Sequence, residues 1–156
     1  MAKKKREKGL WLLLLGGGAA ALLALGKKPA EPGLGVVSVV FNSGPFTPGS
    51  LHQVVITVRN TGTAPASGGE GSRISIMPDV GSIDISSALS IPLAPGQAVD
   101  ILRDFFILPD AVPGTPNTWG MSLYYDGKTL TASGIAFAIE APLEPFLELV
   151  PPIVFA

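Results

Sequence analysis

Between Leu51 and Arg59 the chain alternates with a period of two, with His52, Val54, Ile56 and Val58 on one face and Gln53, Val55, Thr57 and Arg59 on the other. That period marks a strand of a sheet with one buried face. Similar short runs recur downstream. Val36–Phe41 reads as a strand before it, and Ser72–Met77 as one after it, with Ile74 and Ile76 inward. Ile83–Ile91 holds one or two short strands. Gln97–Leu108 is a long strand with Val99, Ile101, Phe105 and Ile107 on one side; Arg103 interrupts that side and predicts a bulge or an edge position. Trp119, Met121, Leu123 and Tyr125 alternate cleanly, and Trp119 is the expected central core aromatic. Asp126-Gly127 is a hairpin turn, because both residues tolerate positive φ. Lys128–Ile139 returns with Ile135, Phe137 and Ile139 on one face.

Loops rich in Gly, Pro, Asn and Asp separate these runs: PFTPGS (45–50), APASGGEG (64–71), LAPG (93–96) and PDAVPGTP (109–116). With 15 prolines in the chain, no helical period survives after residue 34. About seven strands over residues 35–141 predict an all-β domain, a Greek-key β-sandwich of immunoglobulin or fibronectin type.

The motifs VVITVRNTGTAPASG (54–68), LAPGQAV (93–99) and YYDG (124–127) resemble the CARDB domain, the cell adhesion related domain found in bacteria. The resemblance spans about residues 35–139 and rests on structural turns. It departs at GKTLTASGIAFAI, where the family often closes on an acidic, Asn-rich segment. The resemblance implies an immunoglobulin-like fold in a surface setting and carries over no catalytic residue.

The opposite texture precedes this domain. Residues 9–26, GLWLLLLGGGAAALLALG, contain no charge and lie between a basic tail (1–8) and Lys27-Lys28. As a helix this stretch would span about 27 Å, close to the thickness of a bilayer core. It reads as one transmembrane helix or, alternatively, as the apolar part of a signal sequence cleaved after Ala24-Leu25-Gly26. Lys8-Gly9-Leu10 also resembles a prepilin cleavage point, although Leu14 stands where that family has glutamate. Gly16, Ala20 and Ala24 share one ridge and are candidates for helix packing in the bilayer; a segment rich in Gly and Ala also produces such spacing by composition alone. Residues 27–34, KKPAEPGL, form a linker.

Charge follows the same division. The chain has a formal charge of −1 and a mean hydropathy of +0.44. Residues 1–28 carry seven basic residues against one acidic, and residues 29–156 carry four basic against eleven acidic, so the halves stand at +6 and −7. The positive-inside rule then places the N-terminus in the cytoplasm and the β-domain outside, at the cell surface, in the envelope or on a virion membrane. A strongly basic nucleic-acid surface is not expected at this charge.

The candidate chemistry is sparse. Without cysteine there is no thiolate metal site, disulfide or thiol nucleophile. His52, the only histidine, reads as a partly buried structural residue. Asp79, Asp84, Asp100, Asp104, Asp110 and Asp126 are dispersed and form no calcium loop. No cofactor motif and no hydrolase elbow occurs. The expected role is therefore non-catalytic.

Tyr124, beside Asp126-Gly127, is a candidate contact for protein or carbohydrate, with Tyr125 inward. The tail, residues 142–156, carries Phe146, Leu149, Ile153 and Phe155 among four prolines. It is a candidate for partner binding or self-assembly, or it folds back on its own domain. The leading expectation is a membrane-anchored module for adhesion or envelope assembly. Structural alternatives are a component of a membrane-containing virion or of a pilus-like appendage. An enzyme-linked alternative is an accessory module of a secreted hydrolase system.

Overall fold

The structure, a computed structural model, describes residues 29–143. The expected membrane segment, with Gly16, Ala20 and Ala24, and the apolar tail residues Phe146, Leu149, Ile153 and Phe155 lie outside the described residues.

The described residues form seven strands: β1 (Leu34–Phe41), β2 (Leu51–Asn60), β3 (Arg73–Met77), β4 (Gly81–Asp84), β5 (Ala98–Phe106), β6 (Pro116–Tyr125) and β7 (Lys128–Ala138). They form two antiparallel sheets, one of order β1-β2-β5 and one of order β4-β3-β6-β7. Successive strands pair directly in β1–β2, β3–β4 and β6–β7, and the chain changes sheet after β2, after β4 and again after β5. A β-sandwich results, as the alternating pattern requires: each sheet has one apolar face, and the two faces bury each other.

The core joins the expected inward residues of both sheets. Val54, Ile56, Val58, Ile101 and Phe105 come from the three-stranded sheet, and Ile74, Ile76, Met121, Leu123 and Phe137 from the four-stranded one. The segment read as one or two strands after Ile83 instead closes β4 at Asp84 and turns into a 3-10 helix, Ser86–Leu89, whose Leu89 joins the core. Asp126 (φ 44°) and Gly127 (φ 66°) form the hairpin turn between β6 and β7.

Arg103 marks an edge rather than a bulge. β5 pairs with β2 without a register shift and is an outer strand of its sheet. At that edge the guanidinium reaches the Asp84 carbonyl (3.4 Å), the Leu102 carbonyl (2.8 Å) and Ser87 Oγ (3.3 Å). An inward-phased cation is tolerated there because its donors find oxygens at the rim.

Two expectations are corrected. Ile135 does not share a face with Phe137 and Ile139: it is 81% exposed, whereas Phe137 and Ile139 are buried. Phe137 pairs with Asn117 and Ile135 with Thr118, so Ala136 is an extra residue in β7 and the bulge reverses the phase. Trp119 is not the central aromatic. It packs half-buried against the core and lies over Gly134, its cross-strand partner, where an added Cβ would come within 2.7 Å of the indole nitrogen.

The aromatic centre sits instead at one end of the sandwich. Phe46 stacks on Phe137 (4.2 Å between centroids), Phe105 stacks on Phe137 (5.7 Å), and Phe41 meets both Phe105 and Phe137 edge-on (5.8 and 5.6 Å).

Candidate functional site

The turn motifs of the sequence converge on one residue. Asn60, fully buried at the end of β2, donates from Nδ2 to the carbonyls of Ala64 and Leu93 at 2.8 Å each. Its Oδ1 accepts from the amides of Gly62 (2.9 Å) and Gly33 (3.3 Å). Its own backbone bonds Gly96 and Gln97. The NTG and LAPG segments are thus clamped together by one amide side chain, which satisfies backbone groups that the turns would otherwise leave unpaired. Every polar atom of Asn60 is occupied within the protein, so this motif is structural. A second buried pair joins the β3–β4 turn to the start of β6: Asn117 Nδ2 donates to Asp79 Oδ2 (2.9 Å), and the Asp79 amide donates to Asn117 Oδ1 (3.2 Å).

His52 belongs to the aromatic end. Its Nε2 is 2.7 Å from Ser50 Oγ, and its ring lies 4.6 Å from Phe46 and 5.8 Å from Phe105. Burial among these rings disfavours the imidazolium and lowers the pKa below the ordinary 6.5. The ring is a buried, hydrogen-bonded part of the core, as the sequence suggested.

Tyr124 lies beside the loop before β3. Its backbone bonds the Gly69 amide and the Ser72 hydroxyl, and its ring lies over Gly71. Gly71 holds φ +84° there, which opens the turn without crowding the ring. Next to it Gly71, Ser72, Arg73, Ser82 and Asp84 line a shallow polar recess of about 290 Å³. The Ser86 amide and then its hydroxyl hold the Asp84 carboxyl below its usual range, and the charges of Arg103 and Arg73 add to this. Tyr125 packs inward against the core. Among the described residues no three His, Asp or Glu side chains converge.

A larger feature emerges on the outer face of the three-stranded sheet. Leu51 stands opposite Phe106, and Val40, Val55 and Leu102 form a row across all three strands. Leu51, Phe106, Val40 and Leu102 are 67%, 47%, 56% and 52% exposed. Polar rows run between and beside these: Gln53 Nε2 donates to Asp104 Oδ1 (2.8 Å), and Ser38 donates to Thr57 (3.0 Å), which donates to Asp100 (2.7 Å). Apolar and polar stripes therefore alternate at two-residue spacing, about 7 Å apart. The neutral members of the polar rows hydrogen-bond within their own row, and the Asp100 and Asp104 carboxylates remain charges that a covering surface would have to pair. The outer face of the other sheet is different. It carries Ser75 hydrogen-bonded to Ser82 (2.9 Å), with Thr118, Gly120, Ser122, Thr129, Thr131 and Ser133 beside them, and its exposed large apolar side chains, Met77 and Ile135, flank Thr118 in one row at one end.

The striped face leaves only a weak signal in the sequence. Val54-Val55-Ile56, Ile101-Leu102 and Phe105-Phe106-Ile107-Leu108 are apolar on consecutive positions, where a strand with one solvated face would alternate. The structure brings none of the predicted partner residues to this face. Tyr124 lies on the other sheet, and the tail residues lie outside the described region.

In comparisons with known proteins, the chain matches no family model and no curated protein.

Proposed function

We propose that this protein is a single-pass, N-in membrane protein that presents a non-catalytic, fibronectin-like β-sandwich outside the membrane, for adhesion or envelope assembly. The observation that carries a binding role is the striped outer face of the β1-β2-β5 sheet. Exposed Leu51, Phe106, Val40 and Leu102 offer apolar area to a protein partner, and the Asp100 and Asp104 carboxylates in the polar rows between call for donor groups on that partner. Support for the anchor is the uncharged run 9–26 between basic clusters, and support for the surface setting is the CARDB-like turn pattern. The three-plus-four strand split with three sheet changes supports the immunoglobulin or fibronectin likeness.

Membrane fractionation with N-terminal sequencing of the native protein tests the anchor. The expected result is an intact N-terminus in the membrane fraction; a soluble protein beginning at Lys27 would refute it. For the face, Leu102→Arg is expected to abolish crosslinks to envelope proteins in whole cells, while Ser122→Arg on the other sheet leaves them intact.

A second reading, a structural component of a membrane-containing virion or pilus-like appendage, is favoured by β7, an outer strand of eleven residues with no charge after Lys128, which offers a long edge for assembly. Processing at Gly9 would identify the pilus form.

A further inference from the structure

Four strand edges border the two sheets, and three are guarded. β4 is only four residues long. β5 carries Asp100, Arg103 and Asp104, with Arg103 reaching across the rim. β1 is broken by the extra residue Val37 between its pairings at Val36 and Ser38. Short length, charge and bulges are the usual devices against strand addition. β7 differs: it has eleven residues, and after Lys128 none is charged or proline.

The register identifies the groups that face outward. The two-residue turn closes on Tyr125 and Lys128 as a hydrogen-bonded pair, so Leu123–Leu130, Met121–Ala132 and Trp119–Gly134 are also hydrogen-bonded pairs. Thr129, Thr131, Ser133 and Ile135 therefore turn their amides and carbonyls away from β6. Their side chains are exposed on the sheet's outer face. Among the described residues no backbone hydrogen bond from outside its own sheet reaches Lys128–Ala138. The open window is bounded by the turn at Asp126-Gly127 on one side. On the other it is bounded by the bulge at Ala136 and by the Glu140 amide, which bonds the Phe46 carbonyl (2.8 Å).

We propose that β7 pairs antiparallel with β7 of a second copy of this chain, on a two-fold axis at Ala132, so that two four-stranded sheets become one. Antiparallel pairing must place outward-facing residues opposite one another. Centring on Ala132 sets Thr131 against Ser133 and Thr129 against Ile135 of the second copy, and satisfies every free amide and carbonyl in the window. Shifting the centre to Thr131 or Ser133 leaves one of the four residues without a partner, because the turn or the bulge then stands opposite it. Lys128 falls opposite Ala136, so the two lysines lie at opposite ends of the joint. The window is thus self-complementary, as an isologous two-fold contact requires. The chain's own tail is a poorer strand: Pro142, Pro145, Pro151 and Pro152 leave residues 146–150 as its longest proline-free run, and that run contains Glu148. The pairing does not depend on the membrane anchor.

The chain has no cysteine, so a single introduced thiol reports one contact. Ala132 would face its own copy in a non-hydrogen-bonded pair, with Cα atoms about 4.5 Å apart, within the disulfide range. In the full-length protein, Ala132→Cys is expected to give a disulfide dimer on mild oxidation, read on a non-reducing gel. Ser75→Cys, on β3 of the same sheet, is expected to stay monomeric, which separates edge pairing from clustering through any other segment. Ser133→Pro, combined with Ala132→Cys, removes an outward amide and is expected to abolish the dimer. Thr131→Lys in the same background is expected to do so as well through like charges at the joint, without touching any hydrogen bond of the monomer. Deleting residues 142–156 is expected to leave the crosslink intact.

An Ala132→Cys protein that stays monomeric would overturn the proposal. So would equal crosslinking at Ser75→Cys, a crosslink indifferent to Thr131→Lys, or one that appears only after tail deletion, which would put the tail on this edge. Crosslinking in a chain that fractionates as soluble and begins at Lys27 would refute the anchor and leave the pairing standing.

Discussion

The two sheets are alike inside and unlike outside. Toward each other, both present fully buried branched aliphatics: Val54, Ile56 and Val58 from one, Ile74, Ile76 and Leu123 from the other. Toward solvent, the three-stranded sheet shows Leu51, Phe106, Val40 and Leu102 in two apolar rows between polar ones, and the four-stranded sheet shows mostly serine, threonine and glycine, with Met77 and Ile135 exposed in a single row at one end. Inward faces must fill a shared volume at crystal-like density, so both converge on the same side chains. Outward faces carry no such constraint. A difference between them therefore points to use rather than to folding.

The largest effects test the inward likeness. Ile56→Ala and Ile74→Ala are each expected to cost about 3–4 kcal/mol, because both leave a cavity between the sheets. Chemical denaturation should give similar losses for the two, and a loss under about 1 kcal/mol in either would show that the sheets do not share one core.

Asn60→Ala comes next, at about 2–3 kcal/mol, since it strands two carbonyls and two amides at the turn junction. The same denaturation curve reads it, and Asn60→Asp should recover little, because a carboxylate cannot donate to the Ala64 and Leu93 carbonyls.

His52 gives a smaller, pH-dependent term. Its pKa is lowered in the folded state, so the unfolded chain binds the proton more readily. Stability is therefore complete above the unfolded value of 6.5 and falls as pH drops from there toward the folded pKa. His52→Gln should flatten that slope in melting temperatures measured from pH 7.5 to 5.

The outer faces should respond least in stability and most in surface behaviour. Leu102→Ser and Ser122→Ala are each expected to change stability by no more than about 0.5 kcal/mol. Only Leu102→Ser should reduce binding of a hydrophobic dye to the native protein. Equal dye binding in the two variants would erase the contrast between the faces.

Much of this architecture could be read along the chain. Period-two alternation located the inward residues of β2, β3 and β6, and Asp126-Gly127 located the hairpin, because a local steric preference needs no distant contact. Arg103 signalled an edge for a similar reason: a cation in a buried phase needs a rim. The striped face left only a weak signal, since a run such as Val54-Val55-Ile56 reads equally as a strand buried on both sides. The open edge of β7 left none, because sheet order is a property of pairing across the whole domain.

What the sequence determined by itself is the class of structure: inward alternation, turn residues at the right spacing, and a charged, apolar N-terminal segment of opposite texture to the rest. What only the tertiary structure decided is where those elements meet. The bulge at Ala136 turned Ile135 outward although GIAFAI alternates without a break. Phe46 arrived from a loop to complete the aromatic end, and Gly134 drew Trp119 aside from the core's centre. Local preferences act within a few residues and can be read in order along the chain. Register, edges and aromatic packing arise between segments far apart in sequence, and are settled by which pairing leaves the fewest buried groups unsatisfied.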